Sequence, residues 1–480
     1  MDERKLVLLH TNDIHSHFEQ MPRIGEALRQ LRAKHADCTP IVIDGGDHID
    51  RMRPETEGSD GLANIAVMNE TGYDLVVPGN NEGLTLNAGQ LATAYAEKGK
   101  FSVICANFLE ESTGERPPWL EPYRIIERDG LRVGFIGLTA CFPMFYSLLG
   151  WKVLEPLETA AELVELIRPH VHVLVVVSHL GLSLDKKMAE QIDGIDVIIG
   201  GHTHHLLEKP LLHERTYIAA TGCYGQYVGE LEFRYDMEQR TLRLVQGGCL
   251  RTDSFPPSLR LSALIEDERQ ASRRVLDRHV AALARPLAIS WSEESELGNL
   301  LAAGIRRWVD DAEIGIVNAG QILQGLEAGA VTQYRLLEIC PSPINTCLLM
   351  LSGEQIRLAL EQSLLDEYIG KPLKGFGFRG KALGTLCVSG MRIEYDSKAE
   401  PYDKIRFIEV NGEPIEPERR YRVGSIDMFT FGIGYLSLGQ GHTVAYYLPE
   451  FIRDVLKRQL SDADELQQCA IPRWIGVSTE

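Results

Sequence analysis

Near the start of the chain an apolar run passes directly into a polar cluster, in the stretch Leu6-Val7-Leu8-Leu9-His10-Thr11-Asn12-Asp13-Ile14-His15. Short, continuous apolar runs of this kind are typical of buried β-strands. A polar cluster that follows such a strand lies at its carboxyl end, which is where α/β sheets bind their ligands. The stretch therefore predicts a strand of an α/β protein with functional side chains just beyond it.

The same arrangement recurs four times before residue 205. The polar segments are Gly46-Asp47 after residues 41–43, Gly79-Asn80 after residues 75–77, Ser178-His179 after residues 173–177, and Gly201-His202-Thr203-His204 after residues 197–199. Each segment alone is typical of a turn or of a hydrogen-bonded core histidine. Together they bring more carboxylates, amides and imidazoles to strand ends than packing requires. Oxygen and imidazole ligands suit Mn, Fe or Zn, and a shared carboxylate can hold two ions.

These motifs resemble those of the 5′-nucleotidase family of calcineurin-like metallophosphoesterases. Residues 11–15 are similar to the family's opening signature, residues 200–204 to its closing signature, and residues 220–229 to the strand and loop that follow. Leu297-Gly298-Asn299-Leu300-Leu301-Ala302 resembles the start of the family's C-terminal substrate domain, which residues 317–320 and 388–392 continue. The resemblance covers nearly the whole chain.

The resemblance implies a ligand set for each of two metal ions. One ion would be bound by Asp13, His15 and His204 with Asp47 bridging, and the other by Asp47, Asn80, His179 and His202. The expected cofactors are two divalent ions, with Mn²⁺, Zn²⁺ or Fe as candidates. Two neighbouring cations lower the pKa of a bridging water and stabilise the phosphoryl oxygens, so that hydroxide attacks phosphorus in line.

The motif after the third predicted strand departs from the family pattern. The family has Gly-Asn-His-Glu/Asp there, whereas this chain has Gly79-Asn80-Asn81-Glu82, and Leu84 stands where a carboxylate would orient the histidine. An amide donates hydrogen bonds but is no general acid, and losing such an acid costs ~10²–10⁴ in rate. Nearby residues that could substitute for it are His17, His48, Glu82 and His205, although for His17 and His48 a solvated turn position is the simpler interpretation. The candidate catalytic residues are Asn81, His48 and Glu82.

The C-terminal motifs depart as well. Relatives bind substrate with two arginines, two aromatic residues and an aspartate. The stretch 291–296, where one arginine is expected, instead contains three glutamates, and Leu323 stands in the place of the other arginine. The Pro-Phe-Gly-Asn motif is replaced by residues 341–345, and the Gly-Gly-Asp-Gly motif by residues 431–434. Without two guanidinium groups the bidentate partners of a phosphate monoester are lost. The candidate substrate-binding residues are Asn318, Gly320 and Asn345.

The composition is that of an acidic globular protein. The net charge of −19, from 49 basic and 68 acidic residues, argues against nucleic-acid duplexes and anionic membranes as partners. The expected partner is a small-molecule phosphoester.

The N-terminus and the cysteines bear on the location of the protein. The sequence Met1-Asp2-Glu3-Arg4-Lys5 is no signal peptide, and the nine cysteines lack a Cys-x-x-Cys pair, so a cytoplasmic location is expected.

The motifs divide the 480 residues into two α/β domains. We expect a metallophosphoesterase β-sandwich flanked by helices at 1–255, a linker helix at 256–286, and a smaller α/β substrate domain at 287–480. Apolar periodicity predicts helices near 22–33, 59–70, 87–98, 157–168 and 183–193, and mostly antiparallel strands near 215–220, 227–236 and 241–246. One amphipathic helix is predicted from Leu259 to Leu283, and a glycine-rich loop from Lys371 to Gly384.

Three functions follow. The first is metal-dependent hydrolysis of a nucleotide or a related phosphorylated metabolite. The second keeps the metal chemistry but acts on a phosphodiester, such as a cyclic nucleotide or a nucleotide diester. The third is a metal- and ligand-binding protein with little catalysis; the full set of ligands argues against it, while Asn81 and Leu323 keep it open.

Overall fold

The apolar run at residues 6–9 lies in a nine-residue strand, Glu3–Thr11, whose second half is buried. The computed structural model describes residues 2–477 and divides the chain into two units, Met1–Arg273 and Arg274–Glu480. The strand belongs to the first unit, which also contains all five polar segments of the metallophosphoesterase motifs.

Strands and helices alternate through most of the first unit. The strands are β1 (Glu3–Thr11), β2 (Ile41–Asp44), β3 (Leu75–Val76), β4 (Ser102–Val103), β5 (Phe108–Glu110), β6 (Tyr123–Arg128), β7 (Leu131–Thr139), β8 (Trp151–Val153), β9 (Val173–His179), β10 (Val197–Gly200), β11 (Leu211–His213), β12 (Thr216–Ala219), β13 (Tyr227–Asp236) and β14 (Thr241–Arg251). The helices are α1 (Met21–Lys34), α2 (Pro54–Gly58), α3 (Leu62–Thr71), α4 (Asn80–Thr85), α5 (Ala88–Ala92), α6 (Pro143–Leu148), α7 (Pro156–Ile167), α8 (Leu182–Gln191) and α9 (Leu259–Leu276).

Two six-stranded sheets form the centre of this unit. Their strand orders are β14-β13-β1-β2-β3-β4 and β11-β12-β10-β9-β7-β6. One apolar cluster contains Leu8 and Ile43 of the first sheet together with Val175 and Ile199 of the second, so the sheets pack face to face. Because side chains alternate along a strand, the opposite faces are also apolar. One face packs on α1 and α3, the other on α7 and α8. The predicted β-sandwich flanked by helices is confirmed.

The register places the carboxyl ends of the central strands level with one another. Thr11 pairs with Asp44 between the parallel strands β1 and β2, and Asp44 pairs with Val76 of β3. In the second sheet Ser178 pairs with Gly200 between the parallel strands β9 and β10. Within each sheet, the polar segments that follow these strands therefore begin at the same edge.

The predicted helices and late strands correspond to observed elements. The five helical patterns match α1, α3, α5 continued by a π-helical turn at Thr93–Lys98, α7 and α8. The late strands match β12, β13 and β14. Antiparallel pairing is found for β13 with β14 and for β11 with β12, whereas β12 is parallel to β10.

The amphipathic helix is shorter than the sequence predicts. Helix α9 ends at Leu276, and His279–Leu283 forms a strand, β15, that pairs antiparallel with Gly329–Thr332, β17. Burial alternates at the end of β15, where Ala281 and Leu283 are buried and Ala282 is exposed, as in a strand with one covered face. Val280 and Leu283 also fit helical spacing, so periodicity alone does not separate the two elements.

The second unit is a smaller α/β domain, as predicted. Its remaining strands are β16 (Ile314–Asn318), β18 (Asn345–Ser352), β19 (Leu386–Ser389), β20 (Met391–Tyr395), β21 (Ile405–Val410), β22 (Glu413–Pro414), β23 (Arg420–Ile426), β24 (His442–Phe451) and β25 (Trp474–Gly476). Its helices are α10 (Glu296–Trp308), α11 (Gln333–Ile339), α12 (Gly353–Gln362), α13 (Asp366–Ile369), α14 (Leu436–Gly439), α15 (Ile452–Leu460) and α16 (Ala463–Gln468). The main sheet has the order β19-β16-β23-β18-β24, and a second sheet the order β22-β21-β20-β25. One apolar core includes residues of α10, α12 and α15. Residues 371–385 contain no helix or strand, as the glycine-rich loop predicts.

Two further properties of the fold are the state of the cysteines and the length and polarity of the helices. All nine cysteines are free thiols, with Cys105 and Cys347 buried and Cys141 partly exposed. Within residues 2–477, every helix is too short or too polar to cross a bilayer.

Candidate metal centre

The backbone at the strand ends adopts an unusual conformation. Five of the candidate metal ligands have left-handed φ values, namely Asp13 (51°), His15 (47°), Asp47 (52°), His202 (71°) and His204 (57°). Positive φ is uncommon outside glycine and costs of order 1–3 kcal/mol where the surroundings impose it. Hydrogen bonds between the loops hold this geometry. The N–H of Asp13 donates to the carbonyl of Gly46 at 2.9 Å, and that of His15 to the carbonyl of Asp47 at 2.8 Å.

The first group of candidate ligands consists of Asp13, His15 and His204, whose ligand atoms lie within 4.8 Å of one another. The Nε2 atoms of His15 and His204 are 3.0 Å apart. Asp13 Oδ1 is 3.4 Å from His204 Nε2 and 3.8 Å from His15 Nε2. Two ring nitrogens this close cannot both carry a hydrogen along the line between them. At least one lone pair therefore faces the space that a cation would take.

The second group consists of Asp47, His179 and His202, again within 4.8 Å. Asp47 Oδ1 lies 3.3 Å from His179 Nε2. Asn80 joins this group through its Oδ1, which is 2.8 Å from His202 Nδ1. The group therefore offers carboxylate, amide and imidazole donors, which suit Mn, Fe and Zn.

Asp47 lies between the two groups. Its Oδ2 is 3.7 Å from His15 Nε2 of the first group, while its Oδ1 faces His179 of the second. A carboxylate with one oxygen toward each group is the arrangement that a bridging ligand needs. The space beside it depends on glycine, because a Cβ at Gly79 would lie 2.1 Å from Asp47 Oδ1.

The surroundings of His179 fit a metal ligand. Its Nδ1 donates to the carbonyl oxygen of Gly45 at 2.8 Å, so Nε2 is the nitrogen that would bind a cation once the ring has lost its second proton. Nε2 is buried and has no hydrogen-bond partner among the described residues. A buried polar atom without a partner is costly, and a bound cation would satisfy it. The neighbouring Gly46, at φ +97°, is close enough that a Cβ there would lie 2.7 Å from His179 Nδ1.

The electrostatics of the site favour cations. Burial opposes ionisation of Asp13 and Asp47, but the neighbouring histidines hold the pKa of both carboxyls below the usual range. Burial likewise opposes protonation of His179, and the carboxylates outweigh it and raise its pKa to about 10. In contrast, burial and the charge of His179 lower the pKa of His202 to about 4. A metal ion that binds here takes the place of protons on the histidines.

The three candidate catalytic residues occupy different surroundings. Asn81 is partly exposed beside the first group, with its Nδ2 atom 3.0 Å from His15 Nδ1. Glu82 is buried, and its carboxylate accepts from the backbone N–H groups of Gly79, Asp47 and Ile49. His48 is also buried, so the solvated turn position expected for it is wrong, and burial lowers the pKa of its imidazole to about 3.

Two residues near the first group were not singled out from the sequence. Asp50 is buried, and its Oδ2 lies 3.2 Å from His15 Nδ1. A carboxylate in this position fixes the ring and leaves Nε2 free to bind a metal. Tyr224 packs edge-on against His15 and His204, with ring centroids 5.8 and 5.7 Å away. The spacing of the motifs gives no signal for Asp50.

The candidate substrate-binding residues lie in the second unit, at one end of its main sheet. Asn318 ends β16 and donates to the carbonyl oxygen of Leu383 at 2.6 Å. Gly320 also lies against this loop, because a Cβ there would be 2.0 Å from the carbonyl oxygen of Ala382. Asn345 begins β18 and donates to the carbonyl oxygen of Glu450 at 2.8 Å. The amide groups of both asparagines thus connect backbone segments.

Comparison with known proteins agrees with this geometry. Two family profiles match, calcineurin-like phosphoesterase at residues 6–206 and the 5′-nucleotidase C-terminal domain at residues 278–435. The uncharacterized metallophosphoesterase YunD of Bacillus subtilis (strain 168) is 36% identical over 464 residues, which cover 96% of this chain and 100% of YunD. The 5′-nucleotidase of Rattus norvegicus is 23% identical over 486 residues, covering 87% of this chain and 81% of that protein. The structure of the Haemophilus influenzae NAD nucleotidase (NadN) shares the fold, with a TM-score of 0.69 at 18% identity over 100% of this chain and 98% of the other.

A helix-flanked β-sandwich with two histidine and carboxylate groups at its strand ends defines a metallophosphoesterase. The chain belongs to the 5′-nucleotidase family of calcineurin-like metallophosphoesterases, and it is a metal-dependent phosphoester hydrolase.

We expect two divalent ions per chain, and we expect Asp47→Ala to release both because its two oxygens face both groups. Elemental analysis of protein purified without chelator measures the stoichiometry, and hydrolysis of an aryl phosphate should fall below detection. Asp193→Ala, which removes an exposed carboxylate of the same unit, is the control and should keep both ions. One ion or none in the unmodified protein, or two ions in Asp47→Ala, would contradict this assignment.

Asp50→Ala should weaken only one of the two ions, because Asp50 contacts His15 of the first group. Loss of such a supporting carboxylate typically costs ~10–100-fold in metal affinity. A titration with Mn²⁺ followed by electron paramagnetic resonance resolves the two sites. Asp50→Asn keeps an oxygen that can accept from His15 and should lose less. Equal weakening of both sites, or no weakening, would show that Asp50 does not position His15.

Proposed function

We propose that this hydrolase acts on small phosphoesters, with nucleotide-like compounds as the substrate class, and that its rate depends strongly on the leaving group. The observation that carries the proposal is the Asn81 amide beside the first ligand group, at a place where the family has an acid–base histidine. Amide groups donate hydrogen bonds but do not give up a proton near neutral pH.

Each side chain of the centre has a part in this proposal. Two divalent ions bound at the groups would lower the pKa of a water molecule and stabilise charge on the phosphoryl oxygens. Asp47 would hold the two groups at a fixed separation, and Asp50 would orient His15. Asn81, whose backbone N–H already donates to Asp47 Oδ1 at 2.8 Å, would place its side-chain amide toward a phosphoryl oxygen.

The nearby titratable groups are poor substitutes for the missing acid. At neutral pH His48 carries no proton to give, because burial keeps its pKa near 3. Burial raises the pKa of Glu82 to about 7, but its oxygens are occupied by three backbone N–H groups. As catalytic groups both residues stay predictions, and their surroundings favour a role in holding the loops.

A nucleotide-like substrate is supported by an aromatic pair in the second unit. The rings of Phe376 and Phe431 are 51% and 40% exposed, and their centroids are 5.7 Å apart with a tilt of 35°. Adjacent exposed rings offer a stacking surface for a flat heterocycle. Phe431 also begins the segment that replaces the family's Gly-Gly-Asp-Gly motif. The name of the rat relative, 5′-nucleotidase, points to the same class of substrate.

The second candidate is a phosphodiester. Glu293 is exposed near the place of one family arginine, and Leu323 stands in the place of the other. A dianionic monoester would meet a negative charge there, which costs about 1 kcal/mol at close range even when partly solvated. A diester carries one charge and would lose less. Cyclic nucleotides and nucleotide diesters therefore belong in the substrate panel.

We also propose a reducing compartment, the cytoplasm, and a role in nucleotide catabolism. Nine free thiols are typical of proteins that work where disulfides do not form. The net charge of −19 supports a small-molecule substrate over a nucleic-acid duplex.

Asn81→His should raise the hydrolysis rate of alkyl phosphates by up to ~10², because it restores a general acid, and should change aryl phosphates much less. Rates for a series of esters of increasing leaving-group pKa measure this effect. Asn81→Gln keeps an amide without adding an acid and is the matched control. Wild-type rates that do not depend on leaving-group pKa would mean that another residue supplies the proton.

AMP and similar monoesters should saturate the protein weakly, with Michaelis constants of roughly millimolar or higher. The double variant Glu293→Arg with Leu323→Arg should lower the constant for AMP by supplying two cations. The control is Glu293→Gln with Leu323→Gln, which changes the same positions without adding positive charge. It distinguishes the effect of the added charge on AMP binding from the effect of the changed side-chain shape. Micromolar saturation of the unmodified protein by any 5′-mononucleotide would overturn the proposal that this chain has lost the two arginines' contribution to phosphate binding.

A further inference from the structure

The second unit contains a basic cavity that has no part in the proposed reaction. Its volume is about 270 Å³, and its polar lining consists of Arg306, Arg307, Ser389, Glu465, Gln468 and Arg473. Ser389 pairs with Gly315 near the start of β16, whereas Asn318 lies at the end of that strand. The cavity is therefore at the opposite end of the main sheet from the candidate substrate-binding residues.

Arg306 is the first of two cavity arginines without an acidic partner. Its Nη2 donates to Asn411 Oδ1 at 2.7 Å, a neutral acceptor. No carboxylate of residues 2–477 lies within 4 Å of its guanidinium. The group packs against Gly390, where an added Cβ would be 2.9 Å from Arg306 Cζ.

Arg473 is the second cavity arginine without an acidic partner. Its Nη1 donates to the carbonyl oxygens of Asn299, at 2.9 Å, and of Val388. Over the described part of the chain, its Nε and Nη2 groups have no hydrogen-bond acceptor and its guanidinium no carboxylate within 4 Å. Burial lowers the pKa of Arg473, so its charge is only partly solvated. A partly desolvated guanidinium with free N–H groups is a strong site for an oxyanion.

The remaining lining residues complete the polar surface. Arg307 is the one cavity arginine with acidic partners, since its Nη1 lies 2.7 Å from Glu465 and 3.1 Å from Asp462. Ser389 is only 6% exposed, and its hydroxyl makes no hydrogen bond within residues 2–477. This hydroxyl lines the cavity and is available to donate to a ligand there.

We propose that this cavity is a binding site for a phosphate group, either the inorganic ion or the head of a compact monoester. Two guanidinium groups and the Ser389 hydroxyl would donate to its oxygens, as fork-shaped donors do to phosphate. The volume of about 270 Å³ is below the ~300–1,000 Å³ of pockets that hold drug-sized ligands, which suits a compact ligand. The site shares no residue with the metal groups, and it does not depend on the proposed substrate.

Calorimetric titration of the full chain with inorganic phosphate tests the proposal. The protein is first stripped of metals with chelator, so that the metal groups do not bind phosphate, and ionic strength is kept constant. We expect one phosphate per chain and a rise in Tm. Arg306→Gln should weaken phosphate binding by about ten-fold or more, and Arg306→Glu should abolish it. Arg420→Gln removes an exposed arginine of the same unit and should leave binding unchanged.

Parallel titrations with methyl phosphate identify the form of the ligand. Tighter binding of methyl phosphate than of inorganic phosphate assigns the site to a monoester, and the reverse order assigns it to the free ion. Ser389→Ala keeps every arginine in place and should weaken both ligands, which tests the site without disturbing the backbone contacts of Arg473. Absence of saturable binding below about 10 mM, or equal affinity in wild type and Arg306→Glu, overturns the proposal.

Discussion

The metal centre depends on loops that turn sharply at the carboxyl ends of buried strands. Left-handed backbone at Asp13, His15 and Asp47 is unfavourable for residues with a Cβ, and it persists because the loops hydrogen-bond to each other. The carboxylate of Glu82 adds to this by accepting from three N–H groups, including that of Asp47. The turns direct side chains from two sheets into one space. Disturbing the loop hydrogen bonds would therefore move ligands of both groups at once.

The same geometry explains the charges. Asp13 and Asp47 are buried carboxylates whose burial alone would favour the neutral form, so neighbouring positive charge must keep them ionised. In the chain itself protonated histidines supply that charge, most clearly His179. The Nε2 atoms of His15 and His204, 3.0 Å apart, show the limit of this arrangement, since both cannot point a hydrogen at the other. A divalent cation satisfies carboxylates and ring nitrogens together.

Much of the fold could be predicted, and the candidate ligands could be located, because both are local in sequence. Each buried strand ends at its polar segment, so the strand pattern and the candidate ligands Asp13, Asp47 and His179 are found in the same short stretches. The predicted end of the long helix at Leu283 was wrong, because Val280 and Leu283 fit both the helical and the strand periodicity; the helix α9 ends at Leu276 and the strand β15 follows. The role of Asp50 depends on how the loop after β2 folds back on His15, which no spacing reveals. The unpaired arginines of the cavity likewise come from distant segments, and Arg306 and Arg473 are adjacent only in the folded unit.

The substitution of histidine by Asn81 also has consequences inside the protein. His15 Nδ1 faces both Asp50 Oδ2, at 3.2 Å, and the Asn81 amide, at 3.0 Å. When His15 Nε2 binds a cation, Nδ1 carries the hydrogen, and the Asp50 carboxylate is its stronger acceptor. An Asn81 N–H group directed at the same hydrogen would then be repelled. The amide must offer its oxygen to His15 or turn away, and either arrangement directs its N–H groups elsewhere. Cation binding at the first group would thus leave the side-chain N–H groups of Asn81 free to donate to a substrate in the proposed reaction.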